Sequence, residues 1–265
     1  MEPRTFDTPD GLELALRIPA GSVRIRTEET GETRLDLKGE RDEDDFLISL
    51  DDVGARRRRL TVEYRKRGIG FGWGSGDVQV ELTVPTGAQV GVETGSADLE
   101  VSGPIGSLDV KSGSGDCRFG SVDGDVAVKT ASGDVVGDTV TGRLTATTAS
   151  GDARVRSVEG ALVGHSASGD FAIGAAGSAR ITTASGDVEI GAVRSGDTTI
   201  RSVSGDVEVG IPRGTRVYLD LASTSGSTVS DLDMSGDGGD AGAHLELHVS
   251  TVSGDIRVVR AAAEA

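Results

Sequence analysis

Between Ala97 and Arg213 the sequence returns to the same short phrase every nine residues, and that period leaves few folds open. Cut before each recurring Gly, it reads GDCRFGSVD, GDVAVKTAS, GDVVGDTVT, GRLTATTAS, GDARVRSVE, GALVGHSAS, GDFAIGAA, GSARITTAS, GDVEIGAVRS, GDTTIRSVS and GDVEVGIPR, after two looser units, ADLEVSGPI and GSLDVKSGS. The third, fifth and eighth places are apolar or small, as in Val126, Val128 and Ala131 or in Val188, Ile190 and Val193. Such a unit predicts a short strand followed by a turn. The eighth place alternates between Val and Ala (Val122, Ala131, Val140, Ala149, Val158, Ala167), so two unlike nonapeptides make one coil of 18 residues.

A fixed period of this kind marks a solenoid, in which a coil buries its apolar face only by stacking on the next. The expected fold is all-β: a parallel β-solenoid, of the β-helix or β-roll kind, with about 18 residues per coil. Three hexapeptides would also make a coil of that length, but they would repeat every six residues. At about 4.8 Å of rise per coil, thirteen units predict a rod of roughly 30 Å with a sheet on each of two faces.

Composition agrees with a thin interior. Of 265 residues 40 are Gly and 3% of the chain is aromatic, so Val, Ile, Leu and Ala must form the core. The net charge of −16 argues against nucleic acid or an anionic membrane as the main partner, because binding phosphates needs a basic face. The single cysteine, Cys117, takes an inward third place beside Phe119 and reads as a core residue. The opening MEPRTFDTPDG has no basic stretch followed by an apolar run, and no membrane span of 18 apolar residues occurs. The expected address is the cytoplasm, with surface exposure only by a route the sequence does not display.

Residues 1–76 break the nonapeptide rule but still alternate, with Leu12, Leu14, Leu16 and Ile18, then Val23 and Ile25, Leu35 and Leu37, Phe46, Ile48 and Leu50, and Leu60, Val62 and Tyr64. They predict an N-terminal cap of antiparallel strands, which a solenoid needs because an uncovered end offers unpaired edge groups to other chains. Residues 77–213 are then the solenoid, and 214–260 supply C-terminal coils and a second cap, all in one continuous domain. Strands around Leu245, Leu247 and Val249 and around Ile256 and Val258 are expected to close the rod. Three corners share a pattern of strand, Pro, one residue, Gly and strand: LRIPAGSVRI, LTVPTGAQVGV and VGIPRGTRVYL. The acidic run Glu40 to Asp45 and the basic run Arg56 to Arg59 read as a hairpin with complementary charged ends. Next comes GIGFGWGSG, which lacks the spacing of a phosphate loop; it is expected to lie over the first coil, with Phe71 and Trp73 as candidate partner contacts.

With two units per coil, the residues after the Ser-Gly corner stack: Asp98, Asp116, Asp134, Asp152, Asp170, Asp187 and Asp206. Carboxylates about 5 Å apart repel by roughly 0.8 kcal/mol per pair in water, and one turn hydrogen bond per Asp, about 1 kcal/mol, offsets that. The alternative is a cation-binding edge, since nonapeptide β-rolls with two units per coil are a calcium architecture. Those units place several glycines before an Asp two positions on, whereas here Asp follows Gly directly and the next residue points inward. Ligands per gap are too few, and the structural reading of the ladder is preferred. No catalytic residues, metal ligands or cofactor site are assigned. His244 and His248 share a strand face with Glu246 but read as solvated, and neither they nor His165 can be matched to a nucleophile.

The opening TFDTPDGLELALRIPAGSVRIRT, the join VELTVPTGAQVGVETGSADLEV, the serial ASGDV and VSGDV units and VEVGIPRGT together resemble the bacterial putative-adhesin β-strand repeat family, a domain of unknown function. The resemblance spans nearly the whole chain. It implies a β-solenoid with no catalytic residues to carry over. The expected function is that of a non-enzymatic scaffold whose long regular faces bind an unknown protein or a second copy of the chain.

Overall fold

Burial alternates along nearly every strand of the computed structural model, which describes residues 2–9, 11–39, 43–53, 57–65, 78–232 and 244–262. In Val126–Lys129, for example, Val126 and Val128 are buried while Lys129 faces out. The chain divides into two compact units, Met1–Asp134 and Val135–Ala265.

In the first unit the strands form two rows. One row is built from β5 (Phe46–Asp52), β6 (Arg58–Tyr64), β2 (Leu12–Ile18), β8 (Gln89–Thr94), β10 (Ser107–Ser112) and β12 (Val126–Lys129), in that spatial order. The other is built from β1 (Arg4–Asp7), β4 (Glu32–Gly39), β7 (Val78–Pro85), β3 (Gly21–Glu28), β9 (Asp98–Ser102) and β11 (Cys117–Val122). Leu108 lies opposite Val126 and Leu99 opposite Cys117, eighteen residues on in each case, so each coil gives one strand to each row. The interior between rows is aliphatic, with Leu14, Leu16, Val90, Val92, Leu108 and Val110 all buried.

The antiparallel cap expected at the N-terminus is a mixed structure instead. β2 runs parallel to β6 and β8, and β3 runs parallel to β7 and β9. The antiparallel pairs among the described strands are β1 with β4, β4 with β7 and β5 with β6. The physical reason is that β2 and β3 are joined through Pro19, Ala20 and Gly21, the same kind of corner that joins β7 to β8 through Thr86 and Gly87. They therefore stack as a coil of the repeat. Gly87 takes φ 76° at that corner and Gly214 takes φ 80° at its counterpart after Pro212, values that favour glycine.

In the second unit all the described pairings are parallel. One row holds β14 (Leu144–Thr147), the later halves of β15 (Ala153–Ser166) and β16 (Phe171–Thr183), β18 (Gly196–Arg201), β22 (His244–Ser253) and β20 (Arg216–Ser225). The other holds β13 (Val135–Val140), the earlier halves of β15 and β16, β17 (Val188–Val193), β19 (Val207–Ile211), β23 (Ile256–Arg260) and β21 (Thr228–Ser230). Val135 faces Ala153 eighteen residues on, Phe171 faces Val188 after seventeen and Val188 faces Val207 after nineteen. The short and long coils are those that contain the eight-residue unit GDFAIGAA and the ten-residue unit GDVEIGAVRS.

Two sequence expectations change here. The eighth place points inward only in the Val units: Val122, Val140 and Val158 are buried, whereas Ala131, Ala149 and Ala167 sit exposed at the Ser-Gly-Asp corner. At that corner the inward place falls to the preceding Thr or Ser. The chain also ends out of order, because β22 and β23 do not close the array. They lie between β18 and β19 on one side and β20 and β21 on the other. Leu245 and Leu247 are fully buried, which β20 with its half-exposed Val217, Leu219 and Leu221 is not. The more apolar strand takes the covered position.

Glycines at the stacked corners are there for closeness rather than flexibility. A Cβ on Gly169 would fall under 3.0 Å from the carbonyl of Gly151, backbone that cannot give way, whereas a Cβ on Gly120 meets nothing nearer than 3.7 Å. Gly169→Ala is expected to cost about 1–3 kcal/mol and Gly120→Ala no more than about 0.5 kcal/mol, as read from denaturant midpoints at equal slope.

Candidate functional site

At one corner of each coil the chain reads Thr or Ser, any residue, Ser, Gly, Asp, as in Thr130 to Asp134, Thr148 to Asp152, Ser166 to Asp170 and Thr183 to Asp187. The first hydroxyl closes the turn. Gly133 N–H donates to Thr130 Oγ1 at 2.9 Å, Gly151 to Thr148 at 2.8 Å, Gly169 to Ser166 Oγ at 2.7 Å and Gly186 to Thr183 at 3.0 Å. This role for the Thr was legible as a fixed Thr-x-x-Gly spacing, which the sequence reading passed over in favour of Gly and Asp. The last coils depart from it: Gly205 and Gly254, at φ 156° and 155°, turn their N–H groups to the carbonyls of Ser253 and Ser225. Ser202 Oγ and Thr251 Oγ1 are buried and have no hydrogen-bond partner among the described residues.

The aspartates stack as the repeat predicts, and the stack is a hydrogen-bonded column. In the first unit Asp116 N–H donates to Asp98 Oδ1 and Asp134 N–H to Asp116 Oδ1, both at 3.0 Å. In the second, Asp170 N–H donates to Asp152 Oδ1 at 3.0 Å, Asp187 to Asp170 at 2.9 Å, and Asp206 to Asp187 and Asp255 to Asp206, both at 2.8 Å. Ser227 N–H, on Asp255 Oδ1 at 2.7 Å, ends the column on the outermost described coil. Each carboxylate stands in for a main-chain carbonyl that the corner has turned away. The Asp carbonyls join in as well, since Leu99 N–H donates to Asp116 O at 2.8 Å and Phe171 N–H to Asp187 O at 2.9 Å. Of the second oxygens, Oδ2 of Asp116 accepts from Arg118 and that of Asp152 from Arg154. Among the described residues no group of three or more His, Cys, Asp or Glu is arranged to hold a metal ion. The Ser227 N–H holds the Asp255 carboxyl below its ordinary 3.8.

The outer faces carry charges paired from coil to coil. Arg59 reaches Glu13 at 2.7 Å, while Arg17 and Lys111 meet on Glu93 at 3.0 and 2.9 Å. The Lys111 ammonium keeps the Glu93 carboxyl below its usual range. Such exposed pairs add little to stability, because water and salt screen them. Of the basic run, Arg58 pairs with Asp52 at 3.1 Å across β5 and β6 and with Asp7 at 3.5 Å, while Arg59 turns to Glu13. Residues 40–42 and 56 of those runs, and Phe71 and Trp73 with them, lie outside the described residues.

His244, Glu246 and His248 alternate on the outer face of β22. His248 Nδ1 is 3.2 Å from Asp220 Oδ2 and its ring is 6.1 Å from that of Tyr218, while His165 is exposed on β15. Cys117 is buried as expected, and burial pushes its thiol up to about 12.

What the sequence did not mark is the outermost coil of the second unit. β20 pairs only with β22 among the described strands, so its other edge meets no described strand. Its core-side row, Val217, Leu219 and Leu221, lies opposite Leu245, Leu247 and Val249 yet stays half-exposed, and Tyr218 on the other face is 59% exposed. An edge with open backbone groups and apolar side chains beside it is a template for strand pairing.

A chain whose side chains serve stacking, corner bonds and coil-to-coil ion pairs is a β-repeat scaffold in class. Residues 13–259 match Toastrack DUF4097, and the chain belongs to that family. No curated protein matches it. A putative adhesin from Parabacteroides merdae superposes with a TM-score of 0.55 at 12% identity, over 98% of this chain and 96% of that one. A putative lipid binding protein from Parabacteroides distasonis gives 0.51 at 15% identity, over 98% and 96%. A putative adhesin from the same species gives 0.50 at 13%, over 97% and 96%. At these identities the likeness is one of fold. No helix among the described residues is long and apolar enough to cross a membrane.

Asp187→Ala removes the acceptor for Asp206 N–H and is expected to cost about 1 kcal/mol, while Asp187→Asn keeps an acceptor and costs less; thermal melts of the two variants check this. Calcium at millimolar level and a chelator should each leave the melting temperature in place, and a shift with calcium would return the column to cation binding. The depressed Asp255 carboxyl contributes stability at neutral pH, which is lost as pH falls below 3.8 through its folded-state value. Asp255→Asn should therefore flatten the acid limb of a pH–stability curve. Cys117 should resist a thiol reagent at pH 8 and react fully in denaturant.

Proposed function

We propose that the protein is a non-enzymatic β-solenoid, with its coils over 77–213 flanked in sequence by 1–76 and 214–260, that binds another protein chain by adding a strand to β20. The observation that carries this reading is the edge of β20, unpaired among the described strands and flanked by half-exposed Val217, Leu219 and Leu221. In β-augmentation the main chain supplies affinity and alternate side chains supply specificity. The adhesin and lipid-binding names of the structural neighbours support a binding role over a catalytic one.

A second copy of this chain is the occupant that fits the strand best. An antiparallel pair of β20 strands centred on Tyr218 sets Arg216 of each copy opposite Asp220 of the other and Val217 opposite Leu219. One contact made twice is the economy of a two-fold interface. The cation alternative has against it that Oδ1 of Asp98 and Asp116 in the first unit, and of Asp152, Asp170, Asp187, Asp206 and Asp255 in the second, each already accepts an amide.

Sedimentation velocity over a wide concentration range tests the reading. A monomer–dimer equilibrium is expected for the native chain, and Leu219→Asp should leave a monomer with an unchanged far-ultraviolet spectrum. A native chain that remains monomeric at millimolar concentration overturns self-pairing.

A further inference from the structure

In the second unit a cleft of about 720 Å³ opens where three neighbouring parallel strands end. Arg194 follows β17, Pro212 and Arg213 follow β19, and Arg260 ends β23, with Ala192 and Ala261 beside them. Because β17, β19 and β23 are consecutive in one row, residues that leave the strands at the same level converge there. Its volume lies within the range of about 300–1,000 Å³ usual for small-molecule sites.

The lining is unusual for this chain. Acidic residues outnumber basic ones by 43 to 27, yet the described residues around the cleft include three arginines and no carboxylate. On the coil faces Arg118 meets Asp116 and Arg257 meets Glu208, and Arg194 is itself engaged, so Arg213 and Arg260 are the two that bear on the cleft. Arg260 Nη1 donates to the carbonyl of Pro212 at 3.4 Å, a long contact that directs its guanidinium toward the Pro212 corner. Arg194 and Arg260 are half-buried and Arg213 is exposed, while Ala192 is buried. Guanidinium groups suit planar anions that accept two hydrogen bonds at once. Alanine methyls and the Pro212 ring give an apolar wall behind them.

We propose that this cleft binds a carboxylate amphiphile, a medium-chain fatty acid in chemical class, with its head on Arg213 and Arg260 and its tail along Ala192, Pro212 and Ala261. Charge complementarity places the head and the apolar wall places the tail. The site uses no residue of the β20 edge and stands or falls apart from the strand-addition reading.

Titration calorimetry of the full chain with decanoate below its micelle concentration tests this, with acetate as the head alone and decanol as the tail alone. Saturable 1:1 binding of decanoate is expected, with acetate and decanol each at least tenfold weaker. Arg213→Gln and Arg260→Gln should each weaken decanoate about tenfold or more, with thermal melts confirming that both variants are folded. Arg213 is exposed, so its loss tests the head contact even where Arg260→Gln disturbs the Pro212 corner. Absence of saturable binding, acetate or decanol as tight as decanoate, or decanoate binding unchanged in both folded variants overturns the proposal.

Discussion

Everything in this fold follows from how closely one coil approaches the next. Parallel strands in a sheet lie about 4.8 Å apart, and the chain must hold that spacing through its corners as well as along its strands. At the Ser-Gly-Asp corner there is no room for a side chain between successive turns: a Cβ on Gly133 would press into Gly115 O, and one on Gly186 into Gly169 O. The following residue then faces a main-chain amide with no carbonyl to meet it. Asp supplies the oxygen from its side chain, and Thr or Ser three places before the Gly supplies another. Glycine, aspartate and threonine thus recur together because a single spacing demands all three.

That coupling explains how much of the fold could be read from the sequence. The nine-residue period, the pairing of two units per coil, the inward third and fifth places and the stacking of Asp98 through Asp206 all reflect local rules repeated many times, and repetition makes them visible. Even the eight- and ten-residue units show up as coils of seventeen and nineteen residues. What stayed hidden depends on competition between distant segments. Ala131 and Val122 occupy equivalent places in the phrase but opposite environments, because the two corners of a coil differ. The position of β22 with β23 is decided by which apolar strand gains most from burial on both sides, and that of β2 with β3 by a corner matching the one between β7 and β8, comparisons no single segment contains. The edge of β20 was hidden for the same reason: its alternation reads like any other strand until a more apolar one displaces it from cover. The Arg-lined cleft was hidden too, since Arg194, Pro212, Arg213 and Arg260 belong to three coils and converge only through register.

The two units share one topological habit, and it bears on how their ends are managed. In the first, β2 and β3 lie between β6 with β7 and β8 with β9. In the second, β22 and β23 lie between β18 with β19 and β20 with β21. The first unit finishes its rows with β1, four residues long, and β5, seven residues long, whose charges Asp51 and Asp52 stand at its end beyond half-exposed Ile48 and Leu50. The second finishes its rows with β20 and β21, a long edge beside apolar side chains and a short one. Of these four end strands β20, at ten residues, offers the longest edge, and the functional reading settles on it for that reason.

The tucked position of β22 and β23 has a mechanical meaning. A strand at the rim of a sheet can be peeled away one hydrogen bond at a time, but β23 bonds to β19 along one edge and to β21 along the other. A pull transmitted along the chain from Arg260 therefore reaches two ladders together, and neither yields without the other. Tension on that side of the molecule is met first by its most deeply held strands.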